Sequence, residues 1–282
     1  MMRSLTLANR WDAGQIALHV LLIVLVVLSL YPMFFTLITS VKDIHQFYHS
    51  YFSITYPFHW GNYGEAWDAI GGYVINTLVV AAAAVVIIVA FAALSAYAFA
   101  RFSFFGKEVL FMALLALIMI PDMITLVPTF LLLRDLGLLD SLVSLVAVYV
   151  SSGQVVSIFI LRQFFASIPT ELVDAARIDG ASETQVLTRV VLPLSKSILL
   201  TVAIMNVLMI WNDYIWPLVT LSNSRLWTIS LGLVGFSERF AGMAAWGPLF
   251  AGYVIASIPL IAFISISMRS FISDLTSGAL KA

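Results

Sequence analysis

Six separate stretches of this 282-residue chain are each long and apolar enough to cross a bilayer: residues 16–38, 73–100, 109–133, 141–161, 198–221 and 246–271. A hydrocarbon core requires roughly 20 mostly apolar residues per helix. Within it every backbone amide must be satisfied inside its own segment, so helices are the expected form. The expectation is an all-α polytopic membrane protein with six transmembrane helices. Composition points the same way, with 62% hydrophobic and 10% charged residues, against about 45–50% and about 25% in soluble domains. That balance excludes a soluble enzyme, a disordered regulator and a nucleic-acid binder. Lys+Arg number 14 and Asp+Glu 15, so no basic excess exists to hold a phosphate backbone. With Cys 0, disulfide frameworks, thiolate metal sites and cysteine nucleophiles are ruled out.

The first apolar run, about 23 residues, is longer than the roughly 7–15 of a signal-peptide core and is expected to be a permanent helix. The second run (VVAAAAVVIIVAFAALSAYAFA) is rich in Ala and Val, which lets helices approach closely in a packed bundle. Basic residues set orientation. With the N-terminus cytoplasmic, ten lie inside (Arg3, Arg10, Arg101, Lys107, Arg162, Arg177, Arg189, Lys196, Arg269 and Lys281) and four outside (Lys42, Arg134, Arg225 and Arg239). Both termini are therefore expected in the cytoplasm of a cell-membrane protein. The expected organisation is a cytoplasmic N-terminal segment (1–15), a six-helix transmembrane region (16–272) with an inside loop at 162–197, and a cytoplasmic tail (273–282).

The inside loop contains SIPTELVDAARIDGASETQVLTRVVLPLSKS. Its local chemistry predicts two short helices. Pro169 suits a first helical turn, and Glu171 complements the helix dipole there. Gly180 can adopt the left-handed conformation that ends a helix. Ser182 and Gln185 form a capping-box pattern, and Leu192-Pro193 closes the second helix. Two readings are open: a connector resting on lipid head groups, or a docking knob for a soluble partner.

Asp174-Ala175-Ala176, three residues, Gly180, nine residues, then Val190-x-Leu192-Pro193 resembles the EAA loop of ABC import permeases, usually written E-A-A-x3-G-x9-I-x-L-P. The chain departs from it at Asp174 for Glu and Val190 for Ile. Asp is one methylene shorter than Glu, which bears on the salt bridge to the ATPase. Further segments are similar to the maltose-permease-like, sugar-importing branch: SAYAFARFSFFGK, IPDMITLVPTFLLLRDLGLLDS, WNDYIWPLVTL and the tail LTSGALKA. The resemblance implies a cytoplasmic coupling-helix loop whose first helix, about residues 171–179, sits in a groove of an ATPase. The implied coupling residues are Glu171, Asp174, Ala175, Ala176, Arg177, Asp179, Gly180, Leu192 and Pro193. It further implies a second permease subunit related to this one, two ATPase subunits carrying ATP and Mg, and an extracytoplasmic solute-binding protein. This chain itself would bind no cofactor and catalyse no reaction. Consistently, no G-x-x-x-x-G-K-[ST] occurs, since Gly106-Lys107 lacks the first glycine and the hydroxyl residue.

Polar groups within the spans are the candidate solute contacts. A buried charge at a helix centre costs about 2.5–3.5 kcal/mol on insertion scales and marks a cavity or partner. Asn206, Trp211, Asn212, Asp213 and Tyr214 in the fifth span combine carboxylate, amide and aromatic groups that suit a sugar. Interhelical hydrogen bonding is the equal alternative. Asp122, after Pro121, is placed either on a cavity or near the outer head groups. His45 and His49 have i, i+4 spacing, but no carboxylate or Cys completes a metal site. The outer aromatic segment 39–72 suits the membrane interface. The tail residues Thr276, Ser277, Gly278 and Lys281 are either frayed or, by resemblance, reach the ATPase. An ion-gradient-driven secondary transporter of six spans is the rival function, for which ionisable pairs at mid-membrane are expected.

Overall fold

The computed structural model describes the backbone of residues 13–279 and the side chains of residues 14–267. Among these residues all regular structure is helical. Among the described residues, four unbroken helices are long and apolar enough to cross a membrane, and six spans result when each of two bent helix pairs is taken as one. The fold is thus the all-α polytopic one expected.

The chain forms two compact units. The first takes in residues up to Ala66 together with Phe240–Val254. It begins with α1 (Ala13–Ser40), continues through α2 (Ile44–His49) and contains the opening turn of α3 (Gly61–Arg101). Asp43 caps α2 through a capping box with Gln46. Behind it, Lys42 is fully buried and donates from Nζ to the carbonyls of Ser50 (2.7 Å) and Tyr51 (3.0 Å). Burial lowers the Lys42 pKa. Asn62 Nδ2 donates to the carbonyls of Ser40 (2.8 Å) and Lys42 (2.9 Å). Rings of Phe47 and Trp246 stack at 5.2 Å, and Phe35 meets Phe250 edge-on at 5.5 Å. The aromatic-rich segment therefore folds on itself around Phe47, while most of its large rings stay exposed, as with Tyr56 and Trp60.

The second unit takes in Trp67–Arg239 and the chain from Ile255 onward. It holds α4 (Lys107–Ala116), α5 (Asp122–Asp135), α6 (Leu142–Ser167), the loop helices α7 (Thr170–Ile178), α8 (Glu183–Val186) and α9 (Leu192–Leu194), then α10 (Lys196–Asn212) and α11 (Ile215–Thr220). α12 (Ile229–Gly242) and α13 (Trp246–Ala279) follow in the chain, with their residues 240–254 counted in the first unit. α3, α6 and α10 share a core in which Ala84, Ala92 and Ala96 are fully buried. In lipid such small residues permit the close backbone contact that holds helices together. Gly153 shows the tolerance. A Cβ there would run into Asn206 Oδ1 and, at 2.8 Å, Ile88 Cδ1.

Several boundaries differ from the hydropathy reading, each for a local reason. α3 starts twelve residues before its apolar run, at Gly61, because the polar residues Asn62, Glu65 and Asp68 leave lipid without leaving the helix. α6 continues to Ser167, so the inside loop begins at residue 168 rather than 162. The third span is two helices bent by 98°. Pro121 excludes its predecessor from helical geometry, and Ile120 is extended at φ −82°, ψ 115°. The fifth span breaks at Asp213–Tyr214 between α10 and α11. The stretch between the fifth and sixth apolar runs carries a helix of its own, α12.

Replacing Gly153 with Val is expected to destabilise this core by about 1–3 kcal/mol. Thermal melting of the detergent-purified protein checks it.

Candidate functional site

The inside loop folds as its caps dictate. α7 starts at Thr170, with Pro169 extended just before it as the cap. Gly180 takes φ +82°, the left-handed turn expected of it. Ser182 Oγ accepts from Gln185 N–H while Gln185 Oε1 accepts from Ser182 N–H. After α8 the chain passes through a π turn (Leu187–Val191) and α9, so Pro193 sits in a helical first turn and the stop comes at Ser195. There the direction changes by 79° into α10.

One side of the loop is sealed against the spans. Val173 and Val186 are buried in a core with Ala93, Ala96, Tyr97, Leu161 and Phe165. The opposite side is open: Glu171, Asp174, Ala175, Arg177, Asp179 and Gly180 are exposed, with Leu172 at 47% and Ile178 at 86%. Ala176 and Leu192 are half-buried against the core, and Pro193 is exposed. Polar links brace the element. Arg177 Nε donates to Glu183 Oε1 at 2.9 Å, and its Nη1 to Asp174 Oδ1 at 3.3 Å. Tyr97, near the C-terminal end of α3, donates its hydroxyl to Glu183 Oε2 at 2.7 Å. The Arg177 guanidinium first, then the Tyr97 hydroxyl, hold the Glu183 carboxyl below its ordinary pKa. Neither Tyr97 nor Glu183 was singled out by the sequence, because 86 residues separate them.

The membrane-embedded candidates divide. Asp122, Asn212 and Asp213 line one cavity of about 260 Å³ together with Tyr149, Ser152 and Trp216. Asn206 lines a second, of about 210 Å³, which shares Ser152 and Met209 with the first. Trp211 and Tyr214 line neither cavity. Trp211 is buried, and its carbonyl accepts the Ser230 hydroxyl. Asp213 accepts from Tyr149 Oη (2.6 Å) and from Ile215 N–H (3.1 Å), which stitches the break between α10 and α11. Asn206 donates to Ser157 Oγ (3.1 Å) on α6 and to Val202 O on its own helix (2.8 Å). Among the described residues, Asn212 Nδ2 donates to Leu208 O of its own helix (2.8 Å) and to no other helix. Tyr149, Ser152, Met209 and Trp216 join the cavity wall unannounced, since hydroxyls and thioethers on apolar helices carry no sequence signal of the face they occupy. The tail residues Thr276, Ser277, Gly278 and Lys281 lie outside the described side chains.

Two outcomes are expected. Asn206→Ala loses a helix–helix hydrogen bond worth about 0.6–1.7 kcal/mol, whereas Asn212→Ala leaves the melting temperature unchanged. Parallel melting curves distinguish them. Because the folded Glu183 carboxyl titrates below its unfolded value, its bracing is complete above the ordinary carboxylate range and lost as pH falls through the lowered value. A spin label at Ile178→Cys should hold constant mobility from neutral pH down to that range and loosen below it.

Comparisons with known proteins extend over this same architecture. The family described as "Binding-protein-dependent transport system inner membrane component" matches residues 88–276, which include the loop and both cavities. The diacetylchitobiose uptake system permease protein NgcG of Streptomyces coelicolor is 31% identical over 267 residues, covering 93% of this chain and 88% of the relative. The sn-glycerol-3-phosphate transport system permease protein UgpE of Yersinia enterocolitica is 30% identical over 269 residues, covering 92% and 95%. A chain in the crystal structure of a bacterial ABC transporter involved in the import of the acidic polysaccharide alginate has the same fold. The TM-score is 0.82 at 23% identity, over 93% of this chain and 99% of that one. With two thirds of its length under the family match and relatives aligned nearly end to end, the chain belongs to the inner membrane components of binding-protein-dependent transport systems.

Proposed function

We propose that this chain forms half of the translocation pathway of an ATP-binding-cassette importer for a sugar or sugar-like solute. A second permease subunit supplies the other half. An extracytoplasmic binding protein delivers the solute, and two ATPase subunits, which hold ATP and Mg, drive the cycle. The observation that carries this reading is α7, braced on one side by the spans and bare on the other. An exposed Leu172 and Ile178 beside Asp174 and Arg177 is an apolar centre with a charged rim, the makeup of a protein contact. A connector lying on head groups would turn its apolar side chains to lipid, whereas Val173 and Val186 are spent on the protein's own core. The positive-inside count supports a cytoplasmic loop and termini, on the side where ATP is available.

The two cavities support the transport half of the reading. Each is smaller than the roughly 300–1,000 Å³ of a complete small-molecule site, as befits one wall of a shared pathway. Carboxylate, amide, hydroxyl and indole groups converge on the larger one. Sugars offer hydroxyls to the first three and a flat apolar face to the last. Relatives with sugar and glycerol phosphate in their names favour carbohydrate chemistry. Family membership sides with binding-protein-dependent import rather than an ion-gradient-driven carrier.

Purification from membranes tests the proposal. The intact complex is expected to retain ATPase subunits and to hydrolyse ATP faster when the solute-loaded binding protein is added. Ile178→Asp, at a side chain 86% exposed and therefore harmless to the fold, should weaken ATPase retention at least tenfold. Undiminished retention would sink the docking assignment.

A further inference from the structure

Resting on the coupling reading above, we propose that Tyr97 and Glu183 are positioning residues: they form the joint through which displacement of the loop enters the membrane span α3. Three observations carry it. First, the loop is one stiff piece. Its turn at Gly180 would leave α7 and α8 free to hinge, but Arg177 on α7 grips Glu183 on α8 across that turn at 2.9 Å. Second, α8 is fastened to α3 by one directional contact, Tyr97 Oη to Glu183 Oε2 at 2.7 Å. The remaining contact there is apolar packing of Val186, Leu187 and Val191 on the alanine-rich face of α3. Alkyl surfaces resist separation but set no register, whereas a hydrogen bond to a charged acceptor is short, directional and about twice as strong as a neutral one. Third, Tyr97 cannot yield. It is 4% exposed, and Phe102 closes on its ring edge-on at 5.5 Å.

Arg101, one helical turn further along, extends the same joint. Its Nη2 donates to the carbonyls of Phe165 (2.7 Å) and Ile168 (2.5 Å), where α6 ends and the loop begins. α3 is thus pinned to both ends of α7's surroundings, to the chain entering it by Arg101 and to the chain leaving it by Tyr97. A push on α7 passes through Arg177 and Glu183 to α3 as translation rather than being dissipated at the glycine. Glu183 therefore has two duties that separate on mutation. Glu183→Gln keeps an acceptor for Tyr97 but loses the charge for Arg177, while Tyr97→Phe removes one hydroxyl and keeps the ring.

The chain contains no cysteine, so Val79→Cys on α3, 54% exposed, takes a single bimane reporter. The complex, with cysteine-free partner chains, is reconstituted in liposomes, and the bimane change on adding Mg-ATP is measured alongside ATP hydrolysis. Tyr97→Phe should retain ATPase subunits and basal hydrolysis yet cut the reporter change about tenfold, and Glu183→Gln should do the same if Tyr97→Phe accumulates poorly. The double variant should be no worse than the stronger single one, as for two ends of one link. A full reporter change in both single variants overturns the joint while leaving the coupling reading intact. A reporter in the unsubstituted complex that ignores Mg-ATP overturns the coupling reading and the joint with it.

Discussion

A backbone amide in hydrocarbon has no water to turn to, and where the helices around α11 break or end, nearby groups supply partners. At the break after α10, the Asp213 carboxylate accepts the Ile215 N–H that α11 would otherwise leave bare, and Tyr149 completes its shell. Where α11 ends, Asp140 Oδ1 accepts from the N–H groups of Ser222 (3.0 Å) and Asn223 (2.8 Å). The Asp140 N–H in turn donates to the Thr220 carbonyl at 2.8 Å. At Ile120 the helix yields to Pro121, whose missing N–H needs no partner. The larger cavity opens next to these breaks, between Asp122 and Asp213. Polar residues that repair the backbone and polar residues that face the pathway are in part the same ones.

That double use bears on the fifth-span cluster, for which solute contact and helix–helix bonding stood as equal alternatives. The residues divide along that line. Asn206 spends both amide hydrogens on Ser157 and Val202 and fits against Gly153, so its main work is holding α6 to α10. Asn212 donates within its own helix and presents its remaining capacity to the cavity. Asp213 does both. The loop shows the same economy: its apolar residues are shared between an inner face that fastens and an outer face that stays open.

Much of this was legible in the chain because lipid simplifies the code. Apolar runs of span length marked the helices, and Gly180, Ser182 and Gln185 marked the loop's turn and cap, since capping chemistry acts within four residues. Hydropathy could not show where helices end, because it reports where lipid ends; α3 and α6 both run past that limit. Nor could it show contacts across long chain separations. Tyr97 reads as one aromatic among 37 Phe, Trp and Tyr residues, and Glu183 as a helix-start acid, until the fold brings them within 2.7 Å. The bend at Pro121 was visible as a proline, but its 98° was not.

The near-complete exposure of α1 has an evolutionary consequence. Only 6% of its most apolar window is buried within this chain, so exchanges among Leu, Ile and Val along it disturb no internal packing and are limited by bulk hydrophobicity and by whatever lies outside. The buried alanines of α3, Ala84, Ala92 and Ala96, have less latitude, since they sit in a packed core where extra volume is costly. Across diverging descendants, α1 should therefore drift fast in spelling while keeping its greasiness, and α3 should keep its small residues letter by letter.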